Sequence, residues 1–521
     1  MAVVWQPCVT TRQPRCVIGM ATLFTNSRPR RILPFLTPIH TNTGDKAMDT
    51  PLFRIEHDLL GDREVPADVY YGVHTLRARE NFAITGTAIS IYPELIKALA
   101  CIKQAAALSN HELGLLDEQR CNAISAACTE LLDGKLHEQF VVDVIQGGAG
   151  TSTNMNANEV IANRALELLG HRKGEYQYLH PNEQVNIGQS TNDVYPSALK
   201  IATWFGILGL IDAMAVLRQA FEAKAEEFQD VLKMGRTQLQ DAVPMTLGQE
   251  FSTYAVMLGE DEQRLREAVL LLCEINMGAT AIGTGITAHP DYAPLVLRHL
   301  REITGIPLQT APNLIEATQD CGAFVQLSGV LKRVAVKLSK TCNDLRLLSS
   351  GPRAGLGEIN LPPMQAGSSI MPGKVNPVIP EVVNQIAFEV IGNDITVTFA
   401  AEAGQLQLNA FEPIIAHSLF KSVGHLRNGC LTLAERCVKG ITANREYLRS
   451  TVTNSIGIVT ALNPYIGYAN ATSVAQEAHA TGGSVYDIVL QRGLLGKEQL
   501  DQLLQPEVLT RPTPLNLPKQ A

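Results

Sequence analysis

Residues 313–348 read NLIEATQDCGAFVQLSGVLKRVAVKLSKTCNDLRLL. Within them Phe324, Leu331, Leu338 and Leu345 recur every seven residues, and so do Leu327, Val334, Thr341 and Leu348. Such a repeat puts the side chains on one stripe of a helix, the seam by which long helices pack into a bundle. The stretch opens at APN (311–313) and closes at SSGP (349–352), which supply start and stop signals. Two further segments pattern as partners, one from Tyr195 or Pro196 to about Lys233 and one from Pro244 to Asn276. At about 1.5 Å per residue each is roughly 45–55 Å long and needs long neighbours. Strand signals are confined to short β-branched runs such as TVTNSIGIVT (451–460). The pattern predicts an all-α chain of three domains. A mostly helical N-terminal domain spans 48–190, a central long-helix bundle 191–445, and a small C-terminal helical domain 446–521.

Residues 1–47 stand apart, with Arg12, Arg15, Arg28, Arg30 and Arg31, five prolines and no acidic residue before Asp45. That composition is compatible with an organelle transit peptide, but the prolines interrupt an amphipathic helix and favour a disordered extension ahead of a start at Met48. The net charge of the chain is -8 and its body shows no clustered Lys/Arg face, which argues against nucleic-acid binding. The longest apolar run, IATWFGILGLI (201–211), falls short of the ~20 residues of a membrane span, so a soluble chain with no membrane partner is expected. Ten cysteines are scattered without C-x-x-C or His/Cys zinc spacing. They read as reduced, mostly buried thiols of a cytoplasmic protein, and no metal ligand set is visible.

Residues 367–377, GSSIMPGKVNP, place two serines and a lysine between glycines and prolines. A phosphate-binding loop is excluded by register, since five residues separate Gly367 from Gly373 and Val375 follows Lys374. The GTGITA stretch at 283–288 matches a dinucleotide fingerprint but follows a predicted helix where a strand is required. No G-x-S-x-G elbow supports a serine hydrolase. In GSSIMPGKVNP, backbone N–H groups and Lys374 surround a hydroxyl whose pKa they would lower, as a base requires. Three other stretches offer small neutral donors beside glycines or helix ends: GAGTSTNMNANE (148–159), GQSTND (188–193) and GRTQLQ (235–240). Together they suit the binding of carboxylates.

With these stretches in this order over roughly residues 52–510, the chain resembles the aspartase/fumarase superfamily, whose signature is the GSSIMPGKVNP loop. Within it the chain is most similar to the aspartate ammonia-lyases, through GAGTSTNMNANEVIANRA, GEYQYLHPN, GRTQLQDAVPMTLGQE and NDLRLLSSGPRAGL. The resemblance implies reversible elimination of ammonia from L-aspartate to give fumarate, through an aci-carboxylate intermediate. Ser368 is the implied base; the residues alone leave Ser369 as an equal alternative. Thr151, Ser190, Thr191 and Asn192 would hold the β-carboxylate, Lys374 and Asn376 the α-carboxylate, and Thr237 with Asn192 the amino group. The resemblance also implies a homotetramer with a shared helix bundle and active sites built from several subunits. No cofactor is required, and an activating divalent cation is not readable. Fumarases of the superfamily carry His after GRT, where this chain has Gln238, with Glu381 as that histidine's charge partner. Hydroxide needs a proton donor to leave and an alkylammonium does not, so Gln238 favours ammonia release over the alternative, a class II fumarate hydratase acting on malate. His180 and His289, each before a proline, read as structural.

Overall fold

The computed structural model describes residues 52–512 and Pro514, and the extension at 1–47 lies outside them. Strands β1 (Phe53–Asp58) and β2 (Gly61–Pro66) form an antiparallel hairpin. After it come α1 (Val73–Asn81), α2 (Pro93–Glu112), α3 (Glu118–Leu132), α4 (Thr151–Leu168) and the 37-residue α5 (Thr191–Glu227). A second antiparallel hairpin, β3 (Leu232–Thr237) with β4 (Gln240–Thr246), leads into α6 (Leu247–Val269). A short parallel pair, β5 (Glu274–Ile275) and β6 (Gln309–Thr310), brackets α7 (Tyr292–Thr304), and α8 (Leu314–Ala317) precedes α9 (Gly322–Leu348). Another antiparallel pair, β7 (Ile359–Asn360) and β8 (Thr442–Ala443), brackets α10 (Val378–Glu402) and α11 (Glu412–Arg436). The last helices are α12 (Arg445–Thr453), α13 (Asn463–Ile466), α14 (Tyr468–Thr481), α15 (Val485–Gln491), α16 (Lys497–Leu503) and α17 (Pro506–Leu509).

Five long helices close into a ring, α5 to α6 to α9 to α10 to α11 and back to α5. Cross-links give their directions. Phe221 of α5 packs on Tyr254 of α6 while Arg218 pairs with Glu262, so the two run antiparallel. Tyr254 donates to Asp344 of α9 and Lys337 pairs with Glu260, again antiparallel. Asn384 of α10 donates to Ser339 of α9, and Ser328 to Asp394. The N-terminus of α10 therefore lies at the end where α9 finishes. All eight seam positions of α9 are at most 5% exposed. Burying each large apolar side chain contributes about 1.5–3 kcal/mol, and truncating Leu338 to Ala would cost about 2–5 kcal/mol.

A second apolar cluster joins α2, α3, α4, α7 and the first turns of α5, and a third lies within residues 458–503. The second draws on residues from Tyr71 to Leu308, so its members extend past residue 190. Among the described residues α5 is the helix long and apolar enough to cross a membrane, more so than the 201–211 run suggests. Its Leu210, Met214, Leu217 and Phe221 are buried in the bundle.

Several helix boundaries differ from expectation for local reasons. Helix α5 starts at Thr191, ahead of Pro196, because Ser190 caps it and its N–H is held by Asp193 at 2.9 Å. Pro196 leaves the Asn192 carbonyl without its helical donor, and Asn276 Nδ2 supplies one at 2.9 Å. The helix stops at Glu227 instead of Lys233, since the following residues pair as a hairpin; α6 begins at Leu247, capped by Thr246 and Gln249. The β-branched run at 451–460 forms the end of α12 and a short 3-10 helix, with Val452, Ile458 and Val459 buried. Burial in a small helical cluster overrides β propensity there.

Candidate active site

Two helices begin side by side. Gly148, Ala149 and Gly150 all have positive φ, turning the chain sharply into α4 at Thr151. At Gly150 a Cβ would sit 2.4 Å from the Tyr195 ring, so only glycine lets the start of α4 lie against the start of α5. Asn154 Nδ2 then reaches Thr191 Oγ1 at 3.3 Å. Thr151 is the first residue of α4 and is exposed, its hydroxyl donating to the Gly148 carbonyl at 2.8 Å. Ser190, Thr191 and Asn192 are half-buried at the start of α5, and Asn192 Nδ2 donates to the Ala281 carbonyl at 2.7 Å. Hydroxyl donors thus gather where the positive ends of two helix dipoles meet, an arrangement suited to an anion.

Beneath these hydroxyls lies a polar layer that sequence reasoning did not assign. Lys103, fully buried on α2, donates to Asn186 Oδ1 at 2.9 Å and Gln189 Oε1 at 2.8 Å. Burial pushes its ammonium pKa down to about 7. Asn154 and Asn158 also donate to Asn186 Oδ1. Buried Asp193 accepts from the backbone N–H groups of Ser190, Gly278 and Thr280, which pins the start of α5 to the loop before α7. The available signal was Lys103 itself, a lone charge in the apolar run ALACIKQAAAL.

The other two motifs lie elsewhere. Thr237 and Gln238 are exposed at the tip of the β3–β4 hairpin, where Gln238 and Leu239 both take positive φ, 53° and 63°. Non-glycine residues carry strain in that region, and such strain often marks a functional tip. The GSSIMPGKVNP stretch is a loop pinched by an Ala366–Val375 bridge. Asn376 Nδ2 donates to the Gly367 carbonyl at 2.9 Å, and a Cβ at Gly367 would sit 2.8 Å from the Lys374 carbonyl oxygen. Ser368 Oγ accepts from the N–H groups of Ile370 and Met371 at 3.2 and 3.0 Å. Donors aimed at a hydroxyl oxygen favour its deprotonated form. Ser369 and Lys374 are exposed, and the Lys374 ammonium has no protein partner among the described residues.

These positions divide between the two ends of the bundle. Thr151, Ser190, Thr191 and Asn192 are at the start of α5. The hairpin follows the end of α5, and the loop precedes α10, whose N-terminus lies at that same end. A helix of 37 residues is about 55 Å long, far more than a small carboxylate spans. One chain therefore does not bring the four motifs together.

Other candidates fall into structural roles. Glu381 lies in the first turn of α10, His180 Nδ1 accepts from the Asn182 and Glu183 N–H groups, and His289 Nδ1 accepts from that of Asp291. The eight cysteines among the described residues are buried and unpaired. The GTGITA stretch lies between β5 and α7 without the strand-to-helix turn a dinucleotide requires.

Family models described as Lyase and as Fumarase C C-terminus match residues 61–392 and 458–511. The chain is 61% identical over 459 residues to an aspartate ammonia-lyase of Helicobacter pylori, covering 88% of this chain and 98% of that protein. It is 59% identical over 460 residues to one of Escherichia coli K12, covering 88% and 96%. Among solved structures it superposes on a Brucella melitensis fumarate lyase:delta crystallin bound to cobalt with a TM-score of 0.86 and 55% identity, covering 88% of this chain and 100% of that one. A class II fumarase of Schistosoma mansoni gives a TM-score of 0.83 at 34% identity, covering 87% and 98%.

Proposed function

The chain belongs to this family of lyases, and on that premise we propose that it catalyses the reversible elimination of ammonia from L-aspartate to give fumarate, the aspartate ammonia-lyase reaction. The observation that carries this reading is the juxtaposed start of α4 and α5, which brings Thr151, Ser190 and Thr191 to two adjacent helix N-termini, surroundings that suit a carboxylate. Relatives at about 60% identity support ammonia release over fumarate hydration, for which the class II fumarase neighbour is 34% identical.

In the reading, Ser368 removes a proton from the carbon beside the β-carboxylate. The electron pair moves onto that carboxylate, which then carries two negative charges. Thr151, Ser190, Thr191 and Asn192 donate to it, each such donor being worth about 2.7–4 kcal/mol of barrier by analogy with oxyanion sites. The pair then returns to form the double bond, and the ammonium nitrogen leaves as neutral ammonia, so no proton donor is needed at the leaving group. Lys374 and Asn376 hold the α-carboxylate, and Thr237 with Asn192 the amino group. Gln238 supplies an uncharged contact beside it. No resident cofactor is part of this reading, because the step moves only a proton and an amine.

The separation of the motifs along α5 supports an active site composed from several copies of the chain, in a homotetramer. Helix α10 supports the same reading. Its Phe388 and Phe399 are 62% and 68% exposed and share a face with exposed Ile395, while Val383, Ala387, Val390 and Val397 pack inward. A second copy covering that face would extend the bundle. The reading places the enzyme in the cytoplasm, in keeping with its unpaired buried thiols. Following fumarate absorbance with L-aspartate and with L-malate tests the reaction. Release from L-aspartate is expected, and turnover of malate alone would refute it.

A further inference from the structure

Two cations on β3 converge on one carboxylate. Lys233 Nζ lies 2.7 Å from Glu358 Oε2 and 2.5 Å from Glu250 of α6, and the Arg236 guanidinium pairs with Glu358 Oε1. Glu358 is 1% exposed and Lys233 2%. The two positive and two negative charges balance. Burying such a set in place of apolar side chains seldom adds stability, so fixing a position is the better account of it.

Glu358 is itself held firmly. Its N–H donates to the Leu348 carbonyl at the end of α9, its carbonyl accepts from the Asn444 N–H at 3.0 Å, and β7 begins at the next residue. On the hairpin side, Arg236 directly precedes Thr237 and the left-handed pair Gln238–Leu239. Among the described residues, no other hydrogen bond or ion pair joins the hairpin 232–246 to the segment 349–377. The body of the ribbon also packs on α12 and on the 3-10 helix at Ile456–Leu462, where Ser455 Oγ donates to Asp241 at 3.4 Å, while the turn at Gln238–Leu239 beyond Arg236 is exposed and strained.

We propose that Glu358 is a positioning residue for the reaction, setting through Arg236 and Lys233 where the hairpin presents Thr237 to substrate. The proposal rests on the reading above that Thr237 meets the substrate. Glu358→Gln keeps the shape and removes the charge, leaving Arg236 without its carboxylate. It lowers kcat/KM about 10–100-fold, by analogy with the loss of a partner that orients a metal ligand. Circular dichroism and oligomeric state stay as in the wild type.

In a Thr237→Val background the same change costs less than about threefold, because its route to the substrate is already cut. Arg236→Lys keeps the charge, loses the planar fork and shows the same pattern, and it carries the test if Glu358→Gln does not fold. Equal fold-losses in the two backgrounds, for whichever of these variants folds, would overturn the proposal, since a purely structural defect acts whether or not Thr237 is present. The cycle is read on whichever of L-aspartate and L-malate the wild type converts. Failure of the substrate reading therefore shows as a change of substrate, and failure of this proposal as additivity.

Discussion

Subunits carrying Ser368→Ala and subunits carrying Thr191→Val should each be nearly inactive alone, yet form active enzyme together. Thr191 begins α5, and Ser368 lies at the end where α5 finishes. Within one chain the 37 residues between those ends set them about 55 Å apart. A four-carbon dicarboxylate can touch both only if they come from different chains. In a randomly assembled hybrid, a site takes an intact Thr191 with a chance of about one half and an intact Ser368 with the same chance, so about one quarter of the sites carry both. Co-expression with two different affinity tags isolates hybrids, and fumarate release from L-aspartate measures their rate. The expected rate is about 25% of wild type per site, against about 1% or less for either parent, taking loss of a general base as about 10²–10⁴-fold and loss of one oxyanion-type donor as about 10²–10³-fold. Verified hybrids no more active than their parents would refute the reasoning, because a site drawn from one chain cannot be repaired by mixing.

Three further outcomes follow from particular residues. Ser368→Ala lowers kcat by about 10²–10⁴-fold while KM for L-aspartate changes little, since the hydroxyl is assigned to proton transfer; an equal loss in Ser369→Ala alone would move the base by one residue. Burial pushes the Glu412 carboxyl up to about 8 from an ordinary 4.5. The folded chain therefore holds that proton more tightly than the unfolded one, and the stability this contributes is full below about pH 4.5 and lost as pH rises through 8. Glu412→Gln should match the wild type in melting temperature near pH 5 and exceed it increasingly toward pH 8; parallel pH profiles would contradict this. Phe388→Asp with Phe399→Asp should shift the assembly to smaller species in sedimentation while helicity is kept, and an unchanged sedimentation coefficient would show that this face of α10 is free.

The bundle was legible because a seven-residue repeat leaves little freedom, and each of the eight seam residues of α9 is buried. Helix ends were less legible. Pro196 reads as a helix start, and only the Asn276 side chain, remote in sequence, explains how the helix continues through it. The β1–β2 and β3–β4 hairpins escaped notice because FRIEHD and LKMGRT mix charge with apolar residues in runs too short to stand out. In the candidate site, the hydroxyls were visible because Ser and Thr beside glycines open helices. Lys103, Asn186 and Glu358 were not, because their roles depend on burial and on partners tens of residues away.

The turn at Gln238–Leu239 sets a trap for anyone making this protein more heat-resistant. Asn-Gly is the sequence that a two-residue hairpin with both positions left-handed prefers, and on fold criteria alone it is the obvious replacement. It would also erase Gln238, which stands where the resemblance puts a histidine in the hydratases, so a sturdier molecule would lack the side chain to which the proposed preference for releasing an amine over water is ascribed.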